Sequence, residues 1–453
     1  MFRGGVAASL LSRARRPRHA SGLGVLASLA ALAGCGAAPG EPSASPAAEA
    51  VAAPTLEVQR LAFDLDRPAA QPSVVADAAK ARFVLSWQER DAEGCAVLRT
   101  AVLPAGGDIG EVRDVARGCD WFVNWADFPS VVIADNGDWW TYYLQKSGAS
   151  TYAYDIRLVR SEDEGRTWSA PITPHDDRTP TEHGFVSMVP MGGDRVLLAW
   201  LDGRNTLPPA PAAGHDAHGA ASGGHAHAEG PMSLRSAEIG RDFVLRHEQE
   251  VDGRVCSCCP TDLVRRGAGA VLVYRNRSED EIRDVYAADY RDGRWTPGAA
   301  VRTDGWRIEA CPVNGPALAA RGEAVVSVWP TMASGPLEVK AAAISGALGA
   351  RVLEGGEGVL GRPDLAAWGD TAWLTVWLGA GAERATALRT AVLDADLQPT
   401  VTRDLALLPP GRGTGMPRVA SLGREAIVVW TEPKGTEGPD ARVGTVQVRR
   451  LRP

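Results

Sequence analysis

Sulfur residues are concentrated at two neighbouring places in the chain. Cys256, Cys258 and Cys259 stand in the run Cys-Ser-Cys-Cys-Pro, and Cys311 begins a similar Cys-Pro segment. Four thiols on adjacent loops can form two disulfides or bind a soft metal such as Cu(I) or Zn. The even number of cysteines favours disulfides, and metal binding is the alternative.

Histidines are concentrated just upstream, in a Gly- and Ala-rich insertion. His215, His218, His225 and His227 are four of the eight histidines of the chain. Such tracts bind Cu(II), Zn(II) or Ni(II) weakly, without a fixed geometry. His225 and His227 are therefore candidate ligands beside the cysteines. A loop with no function is the alternative, and no cofactor is required by the rest of the sequence.

The elements that carry these loops are strands in a repeating pattern. A Pro- or Gly-led start, an apolar strand, a turn and a second apolar strand ending in Trp or Tyr recur seven times. The aromatic markers are Trp87, Tyr142, Trp200, Tyr274, Trp329, Trp377 and Trp430. Two further alternating stretches follow in each unit, so four strands per unit are predicted.

This pattern predicts an all-β fold over residues 55–453, namely a single β-propeller. We expect seven four-stranded blades, with six as the alternative. Residues 56–63 have no unit of their own, and the last unit is one strand short. The N-terminal strand is therefore predicted to supply that outer strand and close the ring, which removes free sheet edges.

One turn carries a recognisable motif. Ser161 to Trp168 matches Ser-x-Asp-x-Gly-x-x-Trp without a gap, and residues 290–295 are a weaker second copy. Gly165 can adopt a positive φ, and Ser161 and Asp163 can accept hydrogen bonds from nearby backbone amides, while Trp168 packs beneath. The motif resembles the Asp box, or BNR repeat, of the sialidase superfamily, and its role is predicted to be structural.

The resemblance to proteins identified as exo-α-sialidases implies a site where the loops into the innermost strands converge on the central channel. Sialidases need arginines for a sugar carboxylate, a Tyr nucleophile with an activating Glu, and an Asp acid/base. The candidates of these types are Asp127, Tyr274, Glu281 (or Glu309), Arg307, Arg362 and Arg418. The Arg-Ile-Pro signature of sialidases is absent. A non-catalytic binding or metal-handling module is therefore the alternative to a glycoside hydrolase.

The N-terminus resembles that of an exported bacterial lipoprotein. Arginines precede a small apolar run, and Leu-Ala-Gly stands before Cys35, as in the lipobox. We therefore predict a signal peptide at 1–34, lipidation of Cys35, and a flexible tether at 35–54. An ordinary signal peptide is the alternative. Export to the cell envelope also favours a disulfide between Cys95 and Cys119.

The net charge of the chain bears on which kinds of molecule it binds. The formal net charge is −7, and the mature chain has no block of Lys or Arg. Nucleic-acid binding is therefore not expected. We expect a monomer that contacts a membrane through its N-terminal lipid and binds a glycan or another small ligand.

Overall fold

The computed structural model describes five stretches of the chain, and most of them are β-strand. The stretches are 55–207, 230–346, 349–409, 411–434 and 444–453. Within them, helix is limited to the short 3₁₀ turns Ala78–Lys80 and Ala382–Arg384. None of the helices in these stretches is long and apolar enough to cross a membrane.

Twenty-eight strands are present in the described part of the chain. In chain order they are β1 (Glu57–Arg60), β2 (Ala69–Asp77), β3 (Arg82–Arg90), β4 (Ala96–Pro104), β5 (Val112–Gly118), β6 (Val132–Ile133), β7 (Trp139–Lys146), β8 (Tyr154–Ser161), β9 (His183–Pro190), β10 (Val196–Asp202), β11 (Met232–Ile239), β12 (Arg246–Val255), β13 (Asp262–Arg266), β14 (Gly269–Arg275), β15 (Val285–Arg291), β16 (Arg294–Trp295), β17 (Ala299–Ala300), β18 (Ala317–Arg321), β19 (Ala324–Thr331), β20 (Glu338–Ala343), β21 (Arg351–Gly355), β22 (Gly361–Trp368), β23 (Ala372–Ala380), β24 (Thr386–Leu393), β25 (Pro399–Leu408), β26 (Arg418–Leu422), β27 (Glu425–Pro433) and β28 (Gly444–Arg452).

The strands form antiparallel sheets in which chain neighbours pair. Four-stranded sheets comprise β9 to β12, β18 to β21 and β22 to β25, while β13 to β17 form a five-stranded sheet and β6 to β8 a three-stranded one. The remaining strands share one larger sheet, in the order β26-β27-β28-β2-β3-β4-β5, with β1 beside β28. The sequence prediction of an all-β fold built from four-stranded units is thus confirmed at this level.

The N-terminal strand lies at the outer edge of the last unit. β1 pairs with β28 from Glu57 opposite Arg452 to Arg60 opposite Arg449. The same β28 meets the first strand of the first unit, β2, through Ala69 and Gly444. The two ends of the described chain are therefore held in one sheet, and β1 takes the outer position that the sequence predicted.

The core lies between neighbouring sheets. Each of the seven aromatic markers is on the second strand of its unit and is at most 1% exposed. One apolar cluster, for example, joins Trp140 and Tyr142 of β7 to Leu198 and Trp200 of β10. Burial of these large aromatic rings stabilises the packing of adjacent sheets.

The turn from Ser161 to Trp168 follows β8 and is closed by its own side chains. The Ser161 hydroxyl accepts from Gly165 N at 2.7 Å, and Asp163 Oδ1 accepts from Thr167 N at 2.8 Å. Gly165 has φ +79°, and Trp168 packs at the edge of a small apolar cluster. Hydrogen bonds from Thr167 lower the pKa of Asp163 to about 2. The predicted capping geometry is confirmed, and these groups act in the turn itself.

A disulfide joins Cys95 to Cys119. Cys95 directly precedes β4 and Cys119 directly follows β5, so the bond connects the ends of two paired strands at one edge of the first unit. This bond was predicted from the sequence.

Candidate functional site

A cavity of about 190 Å³ lies among the innermost strands. Its wall includes Asp127, Phe128, Tyr142, Ser187, Asp262 and Arg418. These residues come from several repeat units and from the loops that lead into their innermost strands. The cavity is therefore where side chains from distant parts of the sequence converge.

Three buried aspartates around this region link one unit to the next. The bonds run from Phe185 N to Asp127 Oδ1 (2.9 Å), from Leu318 N to Asp262 Oδ2 (2.7 Å) and from Val419 N to Asp364 Oδ2 (2.7 Å). Burial raises the pKa of Asp127 to about 7 and that of Asp364 to about 6, and it also raises the pKa of Asp262. These carboxyl groups thus have a structural role, and burial raises the pKa of each of them above its usual value.

Arg418 brings a positive charge to the cavity wall. Its Nη1 lies 3.3 Å from Asp364 Oδ1, and its guanidinium carbon lies 5.5 Å from the centre of the Phe128 ring. The side chain is 26% exposed, and its Nε has no hydrogen-bond partner among the described residues. One face of the group is thus held by the protein, and donor capacity remains for a ligand.

Two further arginines lie close to Trp125, two residues before Asp127. The guanidinium carbons of Arg362 and Arg412 lie 4.3 and 5.9 Å from the indole. Arg362 donates to the uncharged acceptors Thr414 Oγ1 (3.1 Å) and Gly415 O (3.2 Å). Burial, together with the Arg412 charge, lowers the pKa of Arg362 to about 10. In the described part of the chain, no carboxylate pairs with either arginine, so the positive charge here is uncompensated.

A backbone irregularity in β22 directs the Arg362 side chain toward Trp125. The register of β22 shifts against β23 between Gly361 and Asp364, and both Gly361 and Arg362 have positive φ, +76° and +52°. Such a bulge redirects the side chain of the extra residue. Asn314 fixes the bulge because its Oδ1 accepts from Arg362 N at 2.8 Å.

A tyrosine bridges two carboxyl groups beside the cavity. Tyr154 Oη lies 2.8 Å from Glu182 Oε1 and 3.2 Å from Asp127 Oδ2. Burial raises the pKa of Glu182 to about 8 and that of Tyr154 well above its usual value. A phenol has one proton, so the second contact needs a protonated carboxyl group. Tyr154 is fully buried and stacks on Phe122 at 4.0 Å, so its oxygen is not exposed to a substrate.

Tyr274 and Glu281 do not line the cavity. Tyr274 belongs to the apolar core, where its hydroxyl donates to Asp252 Oδ2 at 2.8 Å. Glu281 forms ion pairs with Arg277 (2.6 Å) and Arg283 (2.7 Å). The predicted Tyr and Glu pair is thus not assembled from these two residues.

Arg307 also lies outside the cavity lining, on the surface, 3.2 Å from Glu309. Of the six sequence-predicted catalytic candidates, the structure brings Asp127 and Arg418 into the cavity wall and Arg362 beside Trp125. Sequence reasoning missed Trp125 and Arg412 as functional candidates. The available signal was their position, because both precede an innermost strand.

The cysteine run forms a compact thiol cluster. Cys256 Sγ lies 3.2 Å from Cys259 Sγ and 3.7 Å from Cys258 Sγ, and Arg283 donates to Cys256 Sγ at 3.3 Å. Hydrogen bonds from Cys258 and Cys259 hold the pKa of Cys256 well below its usual value, and a bond from Cys258 lowers the pKa of Cys311 to about 7. All four cysteines are free thiols here, so the predicted pair of disulfides between them is not formed.

Burial raises the pKa of Glu182, and the Cys256 and Cys311 thiols add to that rise. His225 and His227, the other predicted metal ligands, lie outside the described residues, as does the predicted lipidation site Cys35. Of the predicted metal ligands, the structure therefore describes only the four cysteines.

Comparison with known proteins shows the fold. No protein-family model and no curated protein sequence matches the chain. Among solved structures, the chain is similar to the polysaccharide lyase Uly1, with 8% identity, coverage of 87% of this chain and 92% of the lyase, and a TM-score of 0.50. A protein of unknown function from Dyadobacter fermentans DSM 18053 is 12% identical, with coverage of 88% of this chain and 99% of that protein and a TM-score of 0.48. The Hadza microbial sialidase Hz136 is 12% identical, with coverage of 69% of this chain and 63% of the sialidase and a TM-score of 0.38. At 8% identity, the similarity to the polysaccharide lyase Uly1 shows a shared fold only.

Proposed function

We propose that this protein binds acidic glycans at the end of its central channel. The observation that carries the proposal is the pair Arg362 and Arg412 around the half-buried Trp125, with no carboxylate partner for either arginine in the described ranges. A ligand carboxylate would supply the missing counter-charge. Arg418, on the wall of the adjacent cavity, extends the same positive surface.

The chemistry of these side chains fits a sugar acid. Guanidinium groups bind carboxylates through paired hydrogen bonds, and an indole face packs against the apolar face of a sugar ring. The similarity in fold to a protein named as a polysaccharide lyase is compatible with a glycan ligand. The acidic character of the ligand rests on the arginines alone.

Binding without sialidase-type hydrolysis is the form of the proposal that the geometry favours. Such hydrolysis needs a tyrosine oxygen that reaches the sugar. Tyr154, the tyrosine that does contact a Glu and an Asp, is 0% exposed. A fluorogenic sialoside should therefore not be turned over by the purified protein, and turnover that is lost in Tyr154→Phe would show that the group opens and reacts.

The proposal includes the architecture and location that the sequence predicts. The pairing of β1 with β28 and the seven buried aromatic markers support a closed ring of seven blades. A crystal structure with six blades or an open ring would contradict this. Acylation of Cys35 would hold the protein in the cell envelope, and loss of membrane association in Cys35→Ser, measured by fractionation, would test it.

Isothermal titration calorimetry with charged and neutral oligosaccharides tests the proposed binding. The probes are sialyllactose and a glucuronate-containing disaccharide, with lactose as the uncharged comparison. Arg412→Ala should weaken acidic-sugar binding by about 10-fold or more, because a hydrogen bond to a charged group contributes roughly 1.5–3 kcal/mol. Trp125→Ala should also weaken it, because the change removes the ring against which the sugar packs. Arg424→Ala is the matched control, since Arg424 is exposed in the turn at the opposite end of β26. Equal binding of lactose, or equal losses in the control, would refute the proposal.

A second candidate function is soft-metal binding by the thiol cluster. A metal with sulfur ligands at about 2.3 Å places tetrahedral sulfurs about 3.8 Å apart. The separations from Cys256 Sγ, 3.2 and 3.7 Å, are close to this spacing. Cu(I) titration with a chromophoric competitor should show tight binding that is lost in Cys258→Ser and kept in Ser257→Ala. Binding that is unchanged in Cys258→Ser, or the absence of any tight Cu(I) binding, would exclude this function.

A further inference from the structure

The four free thiols of the described chain lie at different depths in the protein. Cys256 and Cys259 are each 1% exposed, Cys258 is partly exposed, and Cys311 lies exposed on the surface. Cys256 and Cys259 thus form an inner pair, with their sulfurs 3.2 Å apart, and Cys258 and Cys311 form an outer pair. The outer pair can be reached by another molecule while the protein stays folded.

The two sulfurs of the outer pair are already in contact. Cys258 donates a hydrogen bond to Cys311, and the hydroxyl of the intervening Ser257 lies 3.9 Å from Cys311 Sγ. The sulfurs of a disulfide are about 2.05 Å apart. Thiols that are hydrogen-bonded to each other therefore need only a small shift of their side chains to reach bonding distance.

Close packing of two loops places the outer pair together. The first loop carries the Cys-Ser-Cys-Cys run from β12 into β13, and the second carries Cys311 into β18. β13 and β18 are the first strands of two neighbouring units. Gly315 permits the approach of the loops, because a β-carbon at this position would meet Pro260 O at 2.1 Å. The fold therefore brings together thiols that are more than fifty positions apart in the sequence.

The inner sulfurs are held by other groups of the protein. Cys256 Sγ accepts a hydrogen bond from Arg283 Nη1 at 3.3 Å, and Cys259 Sγ accepts one from Asn314 N at 3.5 Å. Cys311, in contrast, is exposed and is hydrogen-bonded to the other member of the outer pair. An exposed thiol with a second thiol behind it is the arrangement that thiol–disulfide exchange requires.

We propose that the outer pair exchanges with a disulfide of another molecule and reduces it. First, the Cys311 thiolate attacks one sulfur of the substrate disulfide, forms a mixed disulfide and releases the other sulfur as a thiolate. Cys258 then attacks the Cys311 sulfur, its proton passes to the departing sulfur, and the Cys258–Cys311 disulfide forms. Two electrons pass from the protein to the substrate, which leaves as one thiolate and one thiol. An external thiol restores the outer pair by the reverse steps.

This activity is separate from glycan binding. The arginines around Trp125 take no part in either step, so loss of one activity would leave the other unaffected. The thiols of the outer pair are also candidate ligands of a soft metal, and a bound metal would occupy their sulfurs. The test therefore uses metal-free protein.

Reaction of the reduced, metal-free mature chain with 5,5′-dithiobis(2-nitrobenzoate) tests the proposal. The parent carries Cys35→Ser, which removes the one cysteine outside the described residues. Peptide mass spectrometry after trypsin follows the two cysteine segments separately, because Arg265 and Arg307 lie between them. The nitrothiobenzoate adduct should appear first on Cys311. It should then be lost as the peptides of Cys258 and Cys311 become joined.

Variants of the two cysteines separate the steps. Cys258→Ser should keep the adduct on Cys311, because the sulfur that displaces it is gone. Cys311→Ser should lose the rapid phase of the reaction, because the exposed thiol is gone. The matched control combines Cys311→Ser with Asp370→Cys, which places a lone thiol in the exposed turn after β22. That thiol should react and keep its adduct.

Circular dichroism checks the fold of each variant, and Cys311→Ser should preserve it because the side chain is exposed. Three results would each overturn the proposal. They are an adduct that persists on Cys311 of the parent, an adduct that is lost from Cys311 in Cys258→Ser, and a first adduct on another cysteine of the cluster.

Discussion

The acid Asp364 should control how strongly Arg418 attracts an anion. Burial raises the pKa of Asp364 to about 6 from the usual 3.8, so the group is mostly ionised at pH 7 and mostly neutral at pH 5. When ionised, it lies 3.3 Å from Arg418 Nη1 and offsets the positive charge. Lowering the pH from 7 to 5 should therefore strengthen the binding of an acidic sugar whose own carboxyl group stays ionised.

The size of the effect follows from the distances. A ligand carboxylate bound on the free side of Arg418 would lie roughly 7 Å from Asp364. Repulsion between two unit charges at that distance is about 2.4 kcal/mol at an effective dielectric constant of 20. Because the Arg418 side chain is 26% exposed, solvent screening reduces this to about 1–1.5 kcal/mol, or roughly 10-fold in affinity.

Calorimetry at pH 7 and pH 5 on wild type and Asp364→Asn measures this directly. The variant should bind at pH 7 about as tightly as wild type binds at pH 5, and most of the pH dependence should be lost. A small remainder is expected because Asp127 and Asp262 line the same cavity and also have raised pKa values. Asp370→Asn, in the exposed turn after β22, is the control. Binding that weakens toward pH 5, or a variant with unchanged pH dependence, would refute the reasoning.

Three other predictions concern stability. In urea denaturation, Gly165→Ala should lower the free energy of unfolding by more than Gly94→Ala does. Both glycines have positive φ, which costs alanine about 1–2 kcal/mol, but only at Gly165 would the new methyl group meet the Trp139 ring, at 3.0 Å. Equal losses in the two variants would contradict this prediction. Replacing both Cys95 and Cys119 with alanine should cost about 3 kcal/mol in the same measurement, and an unchanged transition would show that the bond in the first unit contributes nothing. Asp262→Ala should lower the free energy of unfolding by about 1–3 kcal/mol, because it leaves the buried Leu318 amide unpaired. Asp262→Asn keeps an acceptor and should lower it by less, and the opposite order would contradict the proposed link between units.

The repeat units could be predicted because their signal is local. Val74 and Leu85, for example, pair across β2 and β3 as the first predicted unit requires. Short apolar strands separated by turn residues and ended by a large aromatic are readable without knowledge of tertiary contacts. The same holds for the turn at Ser161 to Trp168, since the hydrogen bonds from Gly165 N to Ser161 and from Thr167 N to Asp163 each span four positions.

The site was only partly predictable, because its residues are chosen by contacts between units. Tyr274 and Tyr154 are both strand residues of similar type, yet only Tyr154 meets a Glu and an Asp. Which one does so depends on how β8 lies against β9, and the sequence does not encode that contact locally.

A crystal structure with a bound glucuronate-containing oligosaccharide would test the central claim most directly. The account predicts a sugar carboxylate within hydrogen-bond distance of Arg412 or Arg418, with a sugar ring packed on Trp125. A sugar ordered elsewhere, for instance beside the turn at Ser161 to Trp168, with the arginines around Trp125 uncontacted, would contradict it.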